Sequence, residues 1–187
     1  MLKNKLYVTH DDLARYLFLT NGSDGDRSVA LHRAVGNPRS LEASYWVTAT
    51  EASTALHLCI AYDGQEEPEV DAKTLVVKRY DAALPGSTAH AVHELWLAML
   101  ERSQPENEIE ISPTGVFSAA NRNGTRLRAA TSWLGDNSVT SAMMTLGETL
   151  IAYAKSPPAE RAKFAHVIEK ESKRLLERVR RIPIGSR

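Results

Sequence analysis

The chain is poor in the features that would crosslink it or anchor it to a membrane. Its 187 residues include one cysteine, Cys59, so no disulfide can form within the chain. No run reaches the ~18 apolar residues of a membrane-spanning helix. The first 20 residues are interrupted by Asp11, Asp12 and Arg15, which breaks the apolar core that a signal peptide needs. These absences predict a cytoplasmic protein without membrane contacts that folds on its hydrophobic core alone.

Sequence patterns of catalytic and nucleotide-binding sites are also missing. The sequence contains no GxSxG, GxxxxGK[ST] or GxGxxG pattern and no zinc-finger spacing. The polar loop NGSDGDRS does not follow the spacing of a calcium-binding loop. The sequence therefore predicts no catalytic residue, no metal site and no cofactor, and it favours a protein that is not an enzyme.

One cluster keeps an enzymatic alternative open. His90, His93 and Glu94 stand together in HAVHE, and on a helix His90 and Glu94 share a face at i,i+4. Two imidazoles and a carboxylate could meet a metal ion in a metal-dependent hydrolase. Zincins require HExxH and the inverted form HxxEH, and neither pattern occurs here. The favoured interpretation of HAVHE is the polar face of an amphipathic helix.

The net charge is zero, but the two parts of the chain differ in sign. Residues 1–121 hold 10 Lys and Arg against 17 Asp and Glu, which gives −7. Residues 122–187 hold 13 Lys and Arg against 6 Asp and Glu, which gives +7. Such asymmetry indicates either a basic segment that binds an anionic partner or a basic helix docked on an acidic domain.

The predicted fold is organised around 43–62, which has the two-residue period of β-strands. Leu56, Leu58 and Ile60 alternate with smaller or polar residues, and the segment before Thr50–Ser53 alternates in the same way. We therefore expect an antiparallel hairpin that turns at Thr50–Ser53.

Further elements are predicted on both sides of this hairpin. Before it, Leu13, Tyr16 and Leu17 fit a short helix capped by Thr9, and Ser28–Val35 fits a strand or a helical turn. After it come a strand at Lys73–Tyr80, a helix at 88–102 and a strand or two short strands around 109–117. The apolar stripe of that helix comprises Val92, Leu95, Trp96, Met99 and Leu100.

Together these elements predict an α+β fold. Its antiparallel sheet has about three to five strands, built from residues 43–117 and covered by helices, and a C-terminal helical pair follows at 138–182. We divide the chain into an α+β body at 1–136 and the helical pair at 137–187, which we expect to pack on the same domain, with a projecting arm as the alternative.

The last predicted helix, from Pro158 to Ile182, has two distinct faces at 100° per residue. Its apolar face comprises Phe164, Ile168, Leu175, Val179 and Ile182. Its basic stripe comprises Lys163, Lys170, Arg174 and Arg181, with Arg178 beside it. A cationic ridge of this kind can follow a phosphate backbone. The alternative is a solvated face with ion pairs such as Glu169 with Lys173 and Glu177 with Arg181.

A second basic candidate is the segment from Phe117 to Trp133. It places Arg122, Arg126 and Arg128 around an Asn-Gly turn between two aromatic residues and contains no acidic residue. Aromatic faces can stack on unpaired bases while arginines hold phosphates, which suits single-stranded nucleic acid. The alternative places both aromatic side chains in the core.

These observations lead to one leading hypothesis and two alternatives. The leading hypothesis is a noncatalytic accessory protein whose basic C-terminal third contacts DNA, RNA or an acidic protein surface. The first alternative is a structural or regulatory protein that self-associates through the apolar face of its last helix into a homo-oligomer. The second is the metal-dependent hydrolase.

Overall fold

A computed structural model describes residues 12–18, 25–33, 44–53, 76–103, 115–120, 125–130 and 137–182. Within these ranges the chain forms six strands and three helices. The strands are β1 Asp12–Phe18, β2 Arg27–Arg33, β3 Tyr45–Ala52, β4 Val77–Leu84, β5 Val116–Ala120 and β6 Arg126–Ala130. The helices are α1 Gly86–Leu100, α2 Asn137–Lys155 and α3 Pro158–Arg180.

The α+β class, the antiparallel sheet and the C-terminal helical pair are confirmed. The strands form one sheet in the order β4-β3-β2-β1-β5-β6, and every neighbouring pair is antiparallel. Six strands exceed the predicted three to five because the sheet also uses residues before 43 and after 117. No described residue tests the predicted domain boundary at 136, which stays a prediction.

The predicted N-terminal helix is wrong, because its residues form β1. The spacing of Leu13, Tyr16 and Leu17 fits a helix, but Tyr16 and Phe18 instead share the strand face that meets the helices. Tyr16 stacks on Phe117 of the neighbouring β5 with ring centroids 4.0 Å apart, and both rings are fully buried. Long-range packing of aromatic rings outweighs a local periodicity of only three residues. The ambiguous segment beside it became strand β2.

The predicted hairpin is wrong in its pairing. β3 continues through the expected turn at Thr50–Ser53 as far as Ala52, and its two edges pair with β2 and β4. A strand has only two hydrogen-bonding edges, so β3 has no edge left for a strand at 55–62. Residues 54–75 lie outside the described ranges.

Two later elements follow the prediction with shifted bounds. β4 begins at Val77 rather than Lys73 and runs four residues further, to Leu84. β5 contains the predicted Val116 and Phe117, whereas Ile109–Ile111 lies outside the described residues. The stripe predicted on the covering helix is confirmed, because Val92, Leu95, Trp96, Met99 and Leu100 of α1 are all buried.

All three helices lie on one face of the sheet and share its core. Tyr16, Val47 and Phe117 from the sheet belong to the same buried cluster as Trp96 of α1 and Leu150 of α2. α3 packs mainly against α1 and α2 and forms the outer part of the helical layer. Among the described residues, no helix combines the length and apolarity that a bilayer crossing needs.

Candidate nucleic-acid interface

α3 positions the predicted basic stripe because its opposite face is fixed in the core. Ile168, Leu175 and Val179 are at most 1% exposed, as the apolar period predicted. Phe164 and Ile182, from the same predicted face, are half-buried against the core. In the described residues this face is therefore covered by α1 and α2 within one chain, and the predicted self-association stays a prediction.

Four of the exposed cations on α3 and its C-cap lie on one line, which we call the cation row: Lys163, Lys170, Arg174 and Arg181. At 100° per residue the four positions fall within roughly 40° of one another, so they form one line along the helix. The first and last positions, Lys163 and Arg181, are 18 residues apart, which corresponds to about 27 Å along the helix axis. The structure thus leaves the four predicted side chains together and exposed to solvent.

The cation row is only partly neutralised by its own helix. Arg174 forms an ion pair with Glu171 at 2.8 Å. The predicted pair of Lys173 with Glu169 is also present, at 2.5 Å, but Lys173 lies beside the row. Within the described residues no ion pair involves Lys163, Lys170 or Arg181, and the predicted pair between Glu177 and Arg181 is not formed.

Arg178 lies between the cation row and the neighbouring helix. Its side chain is half-buried, and its Nη2 donates a hydrogen bond of 2.7 Å to Oγ of Ser138 at the start of α2. The guanidinium keeps further N–H donors, because it has five in all. Arg178 therefore joins the outer surfaces of α2 and α3.

The helix position that orients the row is fixed by polar contacts at its flank. Oε2 of Glu169 accepts hydrogen bonds from Ser87 at 2.7 Å and Thr88 at 3.3 Å, at the start of α1. The hydrogen bonds from Lys173 and Ser87 hold the pKa of Glu169 below its usual value. Near the other end, Nε of Arg102 donates to the backbone oxygen of Ile182. These contacts fix how α3 is rotated about its axis.

Two arginines of the second basic candidate lie on the sheet. Arg126 and Arg128 lie on β6, an edge strand, where their Cα atoms pair with those of Ala120 and Ser118. Arg122 and Trp133 lie outside the described residues. Phe117 is fully buried between Tyr16 and Trp96, which agrees with the alternative that placed this ring in the core.

The HAVHE cluster does not converge on a common point. Nε2 of His90 shares a 3.1 Å hydrogen bond with the hydroxyl of Tyr45, whereas Nε2 of His93 lies 2.7 Å from the backbone oxygen of Ala120. Burial lowers the pKa of His93, which favours the neutral imidazole that donates to this carbonyl. Within the described residues no three His, Cys, Asp or Glu side chains are placed to hold a metal ion.

Sequence reasoning missed a charged groove of about 400 Å³ where the sheet meets the α2–α3 turn. Arg27 forms two hydrogen bonds with Glu148, at 2.7 and 2.6 Å, and Lys155 pairs with Glu51 at 2.7 Å. Arg27 and Glu148 are 121 residues apart, so no local sequence pattern could have found the pair. The four charges neutralise one another and connect α2 to the sheet.

A polar cluster on the other face of the sheet was also missed. The hydroxyl of Thr48 donates to Asp81 at 2.5 Å, and Arg79 holds the same carboxylate with two hydrogen bonds. A hydroxyl beside a carboxylate is the arrangement of a nucleophile and its base. However, the hydrogen bonds from Arg79 lower the pKa of Asp81, which makes it a weak base. We assign this cluster to β3–β4 cohesion.

Similarity to known proteins gives no function for this chain. No protein-family model, no curated protein and no solved structure matches it. The function is therefore inferred from the arrangement of its side chains. Of the surfaces above, the cation row has an excess of exposed positive charge, with Glu171 and Glu177 beside it, whereas the groove pairs and the Asp81 cluster neutralise their charges internally.

Proposed function

We propose that this chain is an accessory protein that binds nucleic acid through the cation row of α3. The observation that carries the proposal is the exposure of all four cations on one line, next to a buried face that fixes their orientation. Phosphates neutralised by such a row release condensed counterions, which supplies affinity without sequence recognition.

Repulsion between neighbouring members of the cation row destabilises the helix, and an anionic partner would remove this repulsion. Lys170 and Arg174 are four residues apart on one face, where like charges destabilise a helix by roughly 0.2–0.5 kcal/mol. Glu171 offsets this at Arg174, but within the described residues Lys170 has no carboxylate partner. A phosphate between the two side chains would turn this repulsion into attraction.

The composition of the surface favours nucleic acid over an acidic protein. Protein interfaces draw most of their affinity from buried aromatic and apolar anchors surrounded by polar residues. Among the described residues, the outer surface of α3 has one large exposed apolar side chain, Val167, which is 45% exposed. A row that is almost purely electrostatic matches a phosphate backbone better than a protein partner.

The test is a fluorescence-anisotropy titration with labelled DNA and RNA, single-stranded and duplex, at several salt concentrations. Lys170→Glu combined with Arg174→Glu should weaken binding at least tenfold, because it reverses two neighbouring phosphate contacts. The matched control is Arg33→Glu combined with Lys78→Glu. It reverses two exposed cations on the sheet and changes the net charge by the same amount.

Two outcomes would overturn the proposal. One is the absence of nucleic-acid binding at low salt, and binding of polyglutamate in its place would identify an acidic protein surface as the partner. The other is equal loss of binding in the two double variants, because binding would then depend on net charge and not on the cation row. Circular dichroism of both variants should match the wild type, since all four substituted side chains are exposed.

A further inference from the structure

The outer surface of α2 continues the cation row of α3 with uncharged hydroxyl groups. Ser138, Ser141 and Thr145 are exposed and Thr149 is half-buried, at spacings of three or four residues that place them on one stripe. We call these four residues the hydroxyl row. The helix contains no acidic residue before Glu148, so its first three turns would not repel a polyanion.

The hydroxyl row and the cation row meet at one end of the helical pair. The 2.7 Å hydrogen bond from Arg178 to Ser138 joins the two helices where α2 begins and α3 ends. The axes of packed helices are typically about 8–10 Å apart, so one ligand at this end could reach both helices. The joined surface, which we call the two-helix face, is cationic along α3 and neutral along α2.

The hydroxyl groups can serve as phosphate donors. The hydroxyl of Thr145 donates to the backbone oxygen of Ser141 at 3.0 Å, and that of Thr149 donates to Thr145 at 2.9 Å. Those carbonyl oxygens already belong to the helix, and a hydroxyl hydrogen can rotate toward another acceptor. Serine and threonine are frequent donors to phosphate oxygens. The short side chains would also let a backbone approach closely.

The two-helix face lacks what a single strand needs. Proteins that bind single strands combine cations with aromatic side chains on which bases stack. No phenylalanine, tyrosine or tryptophan side chain in the described residues is exposed, and Phe164 of α3 is half-buried at the groove. The exposed ring on α3 is the small imidazole of His166. Two rows of phosphate donors without an exposed large aromatic ring match the regular phosphates of a double helix.

We infer that the ligand of this protein is double-stranded nucleic acid seated across the two-helix face, with phosphates on the cation row and the backbone alongside the hydroxyl row. This inference rests on the proposed function. It predicts a preference for duplex over single strands and little dependence on base sequence, because contacts to phosphates carry no sequence information.

The experiment compares a duplex of about 20 base pairs, which exceeds the length of the row, with its separate strands. It uses wild-type protein, Thr145→Glu and the matched Thr145→Gln, which has nearly the same size without the charge. Thr145→Glu should weaken duplex binding roughly threefold or more, because it places a negative charge beside the phosphates. Thr145→Gln keeps a donor group but lengthens the side chain, so it should weaken duplex binding less than Thr145→Glu does, and unfolding curves of the two variants should coincide.

The possible failures separate the two proposals. No binding of either form by the wild type overturns the proposed function itself. Single strands bound as tightly as the duplex overturn the inference and leave the proposed function intact. A third failure is possible, in which Thr145→Glu and Thr145→Gln bind the duplex equally but Lys170→Glu with Arg174→Glu abolishes binding. The contact would then be confined to α3, and the proposed binding site across both helices would be overturned.

Discussion

The helical layer has an inner surface toward the core and an outer surface toward solvent, and the two surfaces differ in their residues and in their role. On the inner surface Trp96, Leu150 and Ile168 are at most 1% exposed and belong to one buried cluster. On the outer surface lie the cation row, the hydroxyl row and scattered glutamates. The inner surface determines how the helices lie, and the outer surface contains the side chains that are left for binding.

The difference shows where a substitution changes stability and where it changes binding. Protein interiors are packed as densely as organic crystals, so the loss of one methylene group on the inner surface lowers stability. Exposed substitutions away from special features usually change stability by less than ~0.5 kcal/mol. A change in affinity from an outer variant can therefore be attributed to lost contacts, whereas an inner variant can lose affinity by unfolding.

The largest effect should come from Leu175→Ala on the inner surface of α3. Leu175 is 1% exposed, and truncation of such a side chain costs about 2–5 kcal/mol through lost transfer energy and the cavity left behind. Urea denaturation measures the loss. Lys170→Ala, on the opposite surface of the same helix, is the control and should change stability by less than ~0.5 kcal/mol. Equal losses would mean that the two surfaces do not differ as described.

A smaller loss is expected from Gly147→Ala on the inner surface of α2. A β-carbon at Gly147 would lie 2.6 Å from the ring of Tyr16 and 3.0 Å from that of Phe18. Alanine favours a helix over glycine by about 1 kcal/mol, but overpacking typically costs about 1–3 kcal/mol. Tyr16 is fully buried against Phe117 and cannot move freely, so the net effect should be destabilising. A higher melting temperature for this variant would contradict the close approach of α2 to β1.

Sequence periodicity could predict which residues of the long helices face the core, but it could not predict the short strands or their pairing in detail. The buried faces of α1 and α3 follow from apolar spacing alone, because each helix repeats its pattern over several turns. β1 was predicted as a helix because Leu13, Tyr16 and Leu17 fit both periods over so short a stretch. The core position of Phe117 was one of two alternatives from the sequence, but its partner Tyr16, about a hundred residues away, could not be identified.

The outer surface was predictable in composition but not in its contacts. The four positions of the cation row follow from the helical period, and their exposure follows from the opposite apolar face. Two features come only from the fold: the bond from Arg178 to Ser138, which joins the helices, and the groove pair of Arg27 with Glu148. Both connect residues far apart in sequence, and local patterns carry no information on such pairs.

Removing an ion pair at the rim where the inner and outer surfaces meet should have an intermediate effect on stability. Arg27 and Glu148 form a bidentate pair with side chains 35% and 41% exposed. A double-mutant cycle with Arg27→Ala and Glu148→Ala should give a coupling energy of roughly 0.5–1 kcal/mol, because partly exposed pairs are weakened by solvent. The coupling should shrink as salt rises. A coupling near zero at low salt would mean that the pair does not hold α2 to the sheet.

The smallest effect should be a pH dependence carried by His93, on the side of α1 that meets β5. Burial lowers its pKa in the folded state below the ordinary value of about 6.5, because the charged imidazolium is disfavoured there. Its contribution to stability is therefore present above that pH and is lost as the pH falls through the folded-state pKa. His93→Gln keeps an N–H donor for the oxygen of Ala120 but cannot titrate. Denaturation curves between about pH 8 and pH 5 should show a steeper acid loss for the wild type than for the variant, with the other five histidines common to both. Parallel curves would show that this side chain is no more costly to charge when folded than when unfolded.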